Sequence, residues 1–124
     1  MILVDTSVWL RALGGKAPFK KHLSELVLAG EGLGHELVYG ELLIGDNGGR
    51  TKLLTDYATL AYAPVVNHLE VADLVRAREL FGRGLSWTDA HLLASAIVAR
   101  ALLYTSDVAL LEAAGEAGVL YQPE

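Results

Sequence analysis

The chain has 124 residues, of which 52% are hydrophobic, carries no cysteine and bears a formal charge of −5. That composition fits a globular protein with a real core, and no linker-like segment divides it, so a single domain over residues 1–124 is expected. It excludes disulfides, thiolate zinc sites and thiol nucleophiles, and no uncharged apolar stretch approaches the roughly 18 residues of a membrane span.

The first stretch, MILVDTSVWL, sets the organisation. Ile2, Leu3 and Val4 form an uninterrupted apolar run, as in a central parallel strand buried on both faces. Such a strand delivers its next residue, Asp5, to the carboxyl edge of the sheet, where α/β proteins place their chemistry. The plainer reading is that Asp5 only precedes a helix whose N-cap is Thr6 or Ser7. A short helix over Ser7 to Leu13 ends at Gly14-Gly15, and a second runs from Pro18 to Gly30 on a stripe of Leu23, Leu26 and Val27. Gly32 to His35 reads as a short strand or tight connection. Glu36 to Asp46 reads as a helix, Thr51 to Thr59 as another, and Leu60 to Val66 as a strand interrupted by Pro64. Asn67 caps an amphipathic helix reaching Phe81. Ser86 caps a helix to Arg100 whose nearly all-apolar span, Leu92 to Ala99, predicts central burial. A strand over Leu102 to Tyr104, a helix over Asp107 to Ala114 and a closing strand over Val119 to Tyr121 complete the chain. Strands alternating with helices at this spacing predict a parallel α/β sheet between helices.

Four carboxylates stand out. Asp107 follows an apolar strand and two hydroxyls, Thr105 and Ser106, and opens a helix, which repeats the setting of Asp5. Two strand-end acids of one parallel sheet reach the same edge. Glu41 shares a helix face with Leu37 and Ile44, so it is expected in an apolar stripe, where a lone carboxylate needs a partner, a proton or a cation. The alternative is a glutamate at the rim of that stripe. Gly40 and Gly45, each unfavourable in a helix by about 1 kcal/mol relative to alanine, point to close packing or an approaching ligand. Asp89 stands three residues after Ser86, where an acid complements the helix dipole, or it joins the other acids. Carboxylates gathered in one place cannot all ionise without cations, and hard oxygen donors without cysteine select Mg²⁺ or Mn²⁺. Ions held this way activate water for phosphodiester hydrolysis.

MILVDTS, VYGELLIG, WTDAHLLASA and LLYTSD occur in that order along the whole chain, and with them the sequence resembles a PIN-domain ribonuclease, in particular a VapC-type toxin of a bacterial toxin–antitoxin pair. The resemblance implies a three-layer α/β/α sandwich with a central five-stranded parallel sheet of order 3-2-1-4-5. It implies an acid quartet, here Asp5, Glu41, Asp89 and Asp107, that binds Mg²⁺ and cleaves RNA, with Ser7 and Thr105 orienting the acids or the metal water. It further implies a homodimer, a VapB-type antitoxin whose tail covers the groove, and contact with DNA only through that antitoxin. Glu36 departs from the pattern, standing where members often carry an apolar residue or proline, and is not counted as a ligand.

The acidic balance speaks against a general affinity for phosphate backbones, yet its distribution is uneven. No acid lies between residues 6 and 24, where Arg11, Lys16, Lys20 and Lys21 fall. These bases are either an ordinary solvated face or a strip that holds RNA beside a metal-screened pocket. His35 and His91 are expected in hydrogen-bonded structural roles, and Trp9 and Trp87 in a core or dimer interface. Asp5 stands where an export signal carries basic charge, so a cytoplasmic protein is expected. A phosphorelay receiver would need adjacent acids after the first strand and a late lysine, and a haloacid-dehalogenase-type phosphatase an acid at Ser7; neither is present. A catalytically silent PIN-like binding module is the remaining rival.

Overall fold

The N-terminal apolar run becomes the middle strand, as its lack of a polar face requires. In the computed structural model, which describes residues 1–123, β1 (Ile2–Val4) is buried throughout. It pairs in parallel with β2 (Gly32–Leu33) on one side and β3 (Leu102–Tyr104) on the other. Between β1 and β2 lie α1 (Thr6–Leu13) and α2 (Phe19–Leu28). Between β2 and β3 lie α3 (Glu36–Ile44), α4 (Thr51–Ala58), α5 (His68–Ala77) and α6 (Trp87–Ala99), and α7 (Val108–Glu116) follows β3.

The order β2-β1-β3 means that the chain leaves β1 in one direction and later returns on its other side. Right-handed crossovers then put helices on both faces, and the strand order reverses beside β1. Such a switch point is where α/β sheets place their sites, outside the carboxyl ends of β1 and β3. Asp5 ends one of these strands and Thr105 the other.

The five-stranded sheet is realised as three strands plus one parallel bridge at each edge, Gly34 to Tyr62 and Leu103 to Leu120. The five segments therefore follow the order 3-2-1-4-5, but Leu60 to Val66 and Val119 to Tyr121 do not form strands. Each outer segment is held by two backbone hydrogen bonds around one residue: Gly34 N–H to Ala61 and Ala63 N–H to Gly34, and likewise Leu103 to Val119 and Tyr121 to Leu103. Pro64 and Pro123, which cannot donate to a ladder, stand just beyond.

The core gathers Leu3, Val4, Val8, Val38, Leu42, Leu92, Leu93, Leu103 and Leu110 around β1. In α6 every residue from Ala90 to Ala96 is buried, as its apolar composition predicts. α5 stops at Ala77, short of Phe81, because Glu79 adopts a left-handed backbone (φ 53°) and the Leu80 N–H turns back to the Val75 carbonyl. Among the described residues no helix is long and apolar enough to cross a membrane.

Candidate active site

Asp5 is 3% exposed and sits where β1 hands over to α1. It is itself the N-cap of α1, accepting from the Val8 N–H at 3.2 Å, so the expectation that Thr6 or Ser7 caps this helix is corrected. The cap needs a non-helical backbone, and strand geometry persists through Asp5 (φ −77°, ψ 170°). The Ser7 hydroxyl donates to Oδ1 at 2.6 Å and the Thr105 hydroxyl to Oδ2 at 2.5 Å, the short lengths of charge-assisted bonds. Burial raises the Asp5 carboxyl above its ordinary range; these three donors pull it down, and the negative charge of Asp89 pushes it further up.

Two of the other acids are linked to this carboxylate through intermediaries. Thr6, next to Asp5 in the chain, donates its hydroxyl to Glu41 Oε1 at 2.7 Å. The Asp107 N–H donates at 3.0 Å to Thr105 Oγ1, the same hydroxyl that donates to Asp5. Asp89 forms a capping box with Ser86 at the start of α6, and Asp107 caps α7 by accepting from the Leu110 N–H. Capping therefore describes both aspartates. Glu41 is exposed and not in a buried stripe, and Ile44, expected beside it on that stripe, is 89% exposed. The core face of α3 is Val38 and Leu42. Apolar side chains occur all round this helix, so periodicity does not single out its buried side. Gly40 is not explained by close packing, since a Cβ there meets open space, whereas Gly45 caps the C-terminus of α3.

The fit of a divalent ion can be judged from these contacts. None of the four carboxylates forms a salt bridge with a basic side chain. Glu41, Asp89 and Asp107 each spend one carboxylate oxygen on a hydrogen bond and leave the other unengaged. Hard, uncompensated oxygens beside a buried acid are the donor chemistry that a hard divalent cation takes. The side chains as placed leave the ligand shell open, for among the described residues no three carboxylates or imidazoles approach closely enough to hold a metal.

Several other residues are placed by the structure. His35 is fully buried, caps α3 by accepting from the Leu37 N–H, and reaches Ser95 of α6 through Nε2 at 2.9 Å. An imidazole whose Nδ1 accepts carries its proton on Nε2, and burial lowers its pKa to about 4. His91 is buried too, but its Nδ1 has no partner and its ring packs edge-on against Trp87. Trp9 joins the core against Tyr57, whereas Trp87 is half-exposed. Glu36 faces solvent. Thr6 and Ser106 carry no site role in the sequence reading, and Arg11 appears there only as one of four bases on a solvated face or RNA-holding strip: the Arg11 Nε–H donates to Ser106 Oγ at 2.9 Å, and Ser106 donates to Ser7 Oγ at 2.9 Å. The signal for two of them was the pairing of hydroxyls with strand-end acids, Thr6-Ser7 after Asp5 and Thr105-Ser106 before Asp107.

Comparison with known proteins identifies the family. Residues 2–116 match the PIN domain family. Ribonuclease VapC32, from two strains of Mycobacterium tuberculosis, is 44% identical over 125 aligned positions, which span all of this chain and 98% of the relative. The crystal structure of PAE2754 from Pyrobaculum aerophilum superposes with a TM-score of 0.59 at 18% identity, over 90% of this chain and 82% of the other, and so supports the fold. The family match and the full-length relative together make this chain a member of the PIN-domain family, in its VapC-type branch.

Proposed function

We propose that this chain is a Mg²⁺-dependent endoribonuclease, the toxin of a VapBC-type toxin–antitoxin pair, in which Asp5, Glu41, Asp89 and Asp107 hold the ion. The reading is carried by one observation: a buried carboxylate without a basic partner ends the central strand of a chain 44% identical to a named VapC ribonuclease. When bound, Mg²⁺ (or Mn²⁺) would lower the pKa of a coordinated water and screen the charge that builds on the phosphate. The chain's own residues do the positioning. Ser7 and Thr105 fix both oxygens of Asp5 and, by hydrogen bonding to its ionised form, oppose the protonation that burial favours. Thr6 orients Glu41, and the helix caps hold Asp89 and Asp107 at the entrances of α6 and α7. Ser7 and Thr105 thus act on the ligand set from behind it, and such supporting partners tune affinity strongly. A VapB-type antitoxin, a homodimeric assembly and a cytoplasmic setting complete the proposal.

Incubating the purified chain with total RNA, with and without Mg²⁺, tests it. Cut ends that appear only with the metal, and vanish with Asp5→Asn, are the expected result. Intact RNA under all conditions would leave a binding module in place of an enzyme.

A further inference from the structure

Arg11 lies in the last turn of α1 and is exposed, yet its side chain is not loose. Its Nε–H donates to Ser106 Oγ at 2.9 Å, and its guanidinium carbon lies 5.6 Å from the centroid of the Phe19 ring. A cation over an aromatic face, with one nitrogen tethered, has lost much of the rotamer freedom that binding otherwise removes. The tether leads into the site. Ser106 donates to Ser7 Oγ, and Ser7 donates to Asp5 Oδ1 at 2.6 Å, so the guanidinium stands three hydrogen bonds from the buried carboxylate. Every donor in this series points towards Asp5, an arrangement in which each bond polarises the next.

The dipole of α1 favours a base in this turn, but it does not account for a base anchored to a hydroxyl at the edge of an acidic crevice. Arg11 forms no salt bridge, and neither Nη group donates to anything among the described residues. A preorganised fork with both terminal nitrogens free matches the two non-bridging oxygens of a phosphodiester. No acid lies between residues 6 and 24, so α1 itself carries no acid to compete with that phosphate.

We propose that Arg11 grips an RNA backbone phosphate next to the cleavage site, with Nε held on Ser106 and the Nη pair on the phosphate. The proposal rests on the ribonuclease reading above and names the group that orients the strand across the carboxylates. Arg11 is a substrate-binding residue in this scheme, not a metal ligand.

Binding and turnover are measured separately so that the two readings fail separately. In an Asp5→Asn background, a fluorescein-labelled single-stranded RNA of random sequence is titrated by anisotropy over a range of KCl concentrations. Adding Arg11→Ala should weaken binding roughly 5- to 10-fold and flatten the log–log salt dependence by about 0.7, the loss of one phosphate contact on a single strand. Arg11→Lys should restore the slope but not the full affinity, because a point charge lacks the fork. Lys52→Ala, which removes an exposed charge already paired with Asp56 on α4, should change neither. With Asp5 intact, Arg11→Ala should raise KM for cleavage by a similar factor. An unchanged slope for Arg11→Ala, an equal effect from Lys52→Ala, or no RNA binding by the Asp5→Asn protein overturns the role of Arg11. Tight, Arg11-dependent binding without cleavage by the wild-type chain would instead remove the nuclease reading and leave this contact standing.

Discussion

Asp5 accepts three hydrogen bonds in a nearly closed environment and has no cationic partner, so its ionised form is held at the expense of stability. The sign follows from linkage. A carboxyl whose folded pKa is raised binds more protons in the native state, so the metal-free protein loses stability as pH climbs from the ordinary aspartate range through the raised value. Asp5→Asn keeps a competent N-cap and removes the buried charge. In metal-free buffer near neutral pH it should raise the melting temperature, and with Mg²⁺ present it should lower RNA cleavage by about 100-fold or more; a thermal melt and a turnover assay check the two halves. Ser7→Ala and Thr105→Ala should each lower activity roughly 10- to 100-fold, as loss of a ligand's supporting hydrogen bond does. His35 carries the opposite sign. With its pKa lowered to about 4, the neutral imidazole contributes stability that is complete above about 6.5 and is lost as pH falls through 4. The full window corresponds to about 3 kcal/mol. Urea melts from neutral to acid pH should show that decline, and His35→Asn should flatten it.

Among the elements, what the sequence made legible was whatever one residue or one short run could specify alone. β1, with three apolar residues and no polar face, and α6, apolar on most sides, were readable because burial on all sides leaves no other pattern. Asn67 and Ser86 cap the helices they were expected to cap. Where two arrangements share one pattern, the reading failed. In α3 apolar residues surround the helix, so the buried Val38 and Leu42 and the exposed Leu43 and Ile44 could not be told apart. The outer strands failed because prolines just beyond the first paired residues cannot donate to a ladder, which leaves one bridge each. Two glycines separate these causes. Gly34 admits no side chain: a Cβ would lie 2.8 Å from Tyr62 Cε1 and 3.2 Å from Tyr57 Cε1, so Gly34→Ala should destabilise the fold by about 1–3 kcal/mol. Gly40 faces open space inside a helix, so Gly40→Ala should stabilise it by roughly 0.5–1 kcal/mol. Equilibrium unfolding of the two variants should move in opposite directions.

At the scale of the whole molecule, the reversal of strand order beside β1 ties the candidate site to the fold. The crevice at the carboxyl ends of β1 and β3 brings Asp5 and Thr105 together across 100 positions of sequence, and Ser7 and Ser106 beside them. A net charge of −5 works against an RNA substrate, a repulsion that an ion among the acids would relieve, and the proposed cleavage requires that ion. The open ligand shell makes that requirement testable, because an ion must draw the free oxygens of Glu41, Asp89 and Asp107 towards Asp5. The most direct measurement is the affinity for Mn²⁺, followed by electron paramagnetic resonance, of the wild-type chain and of Asp5→Asn, Glu41→Gln, Asp89→Asn and Asp107→Asn. Binding by the wild type that weakens in all four variants is the predicted result. Wild-type affinity retained by Glu41→Gln or Asp107→Asn would contradict a single site built from the four acids.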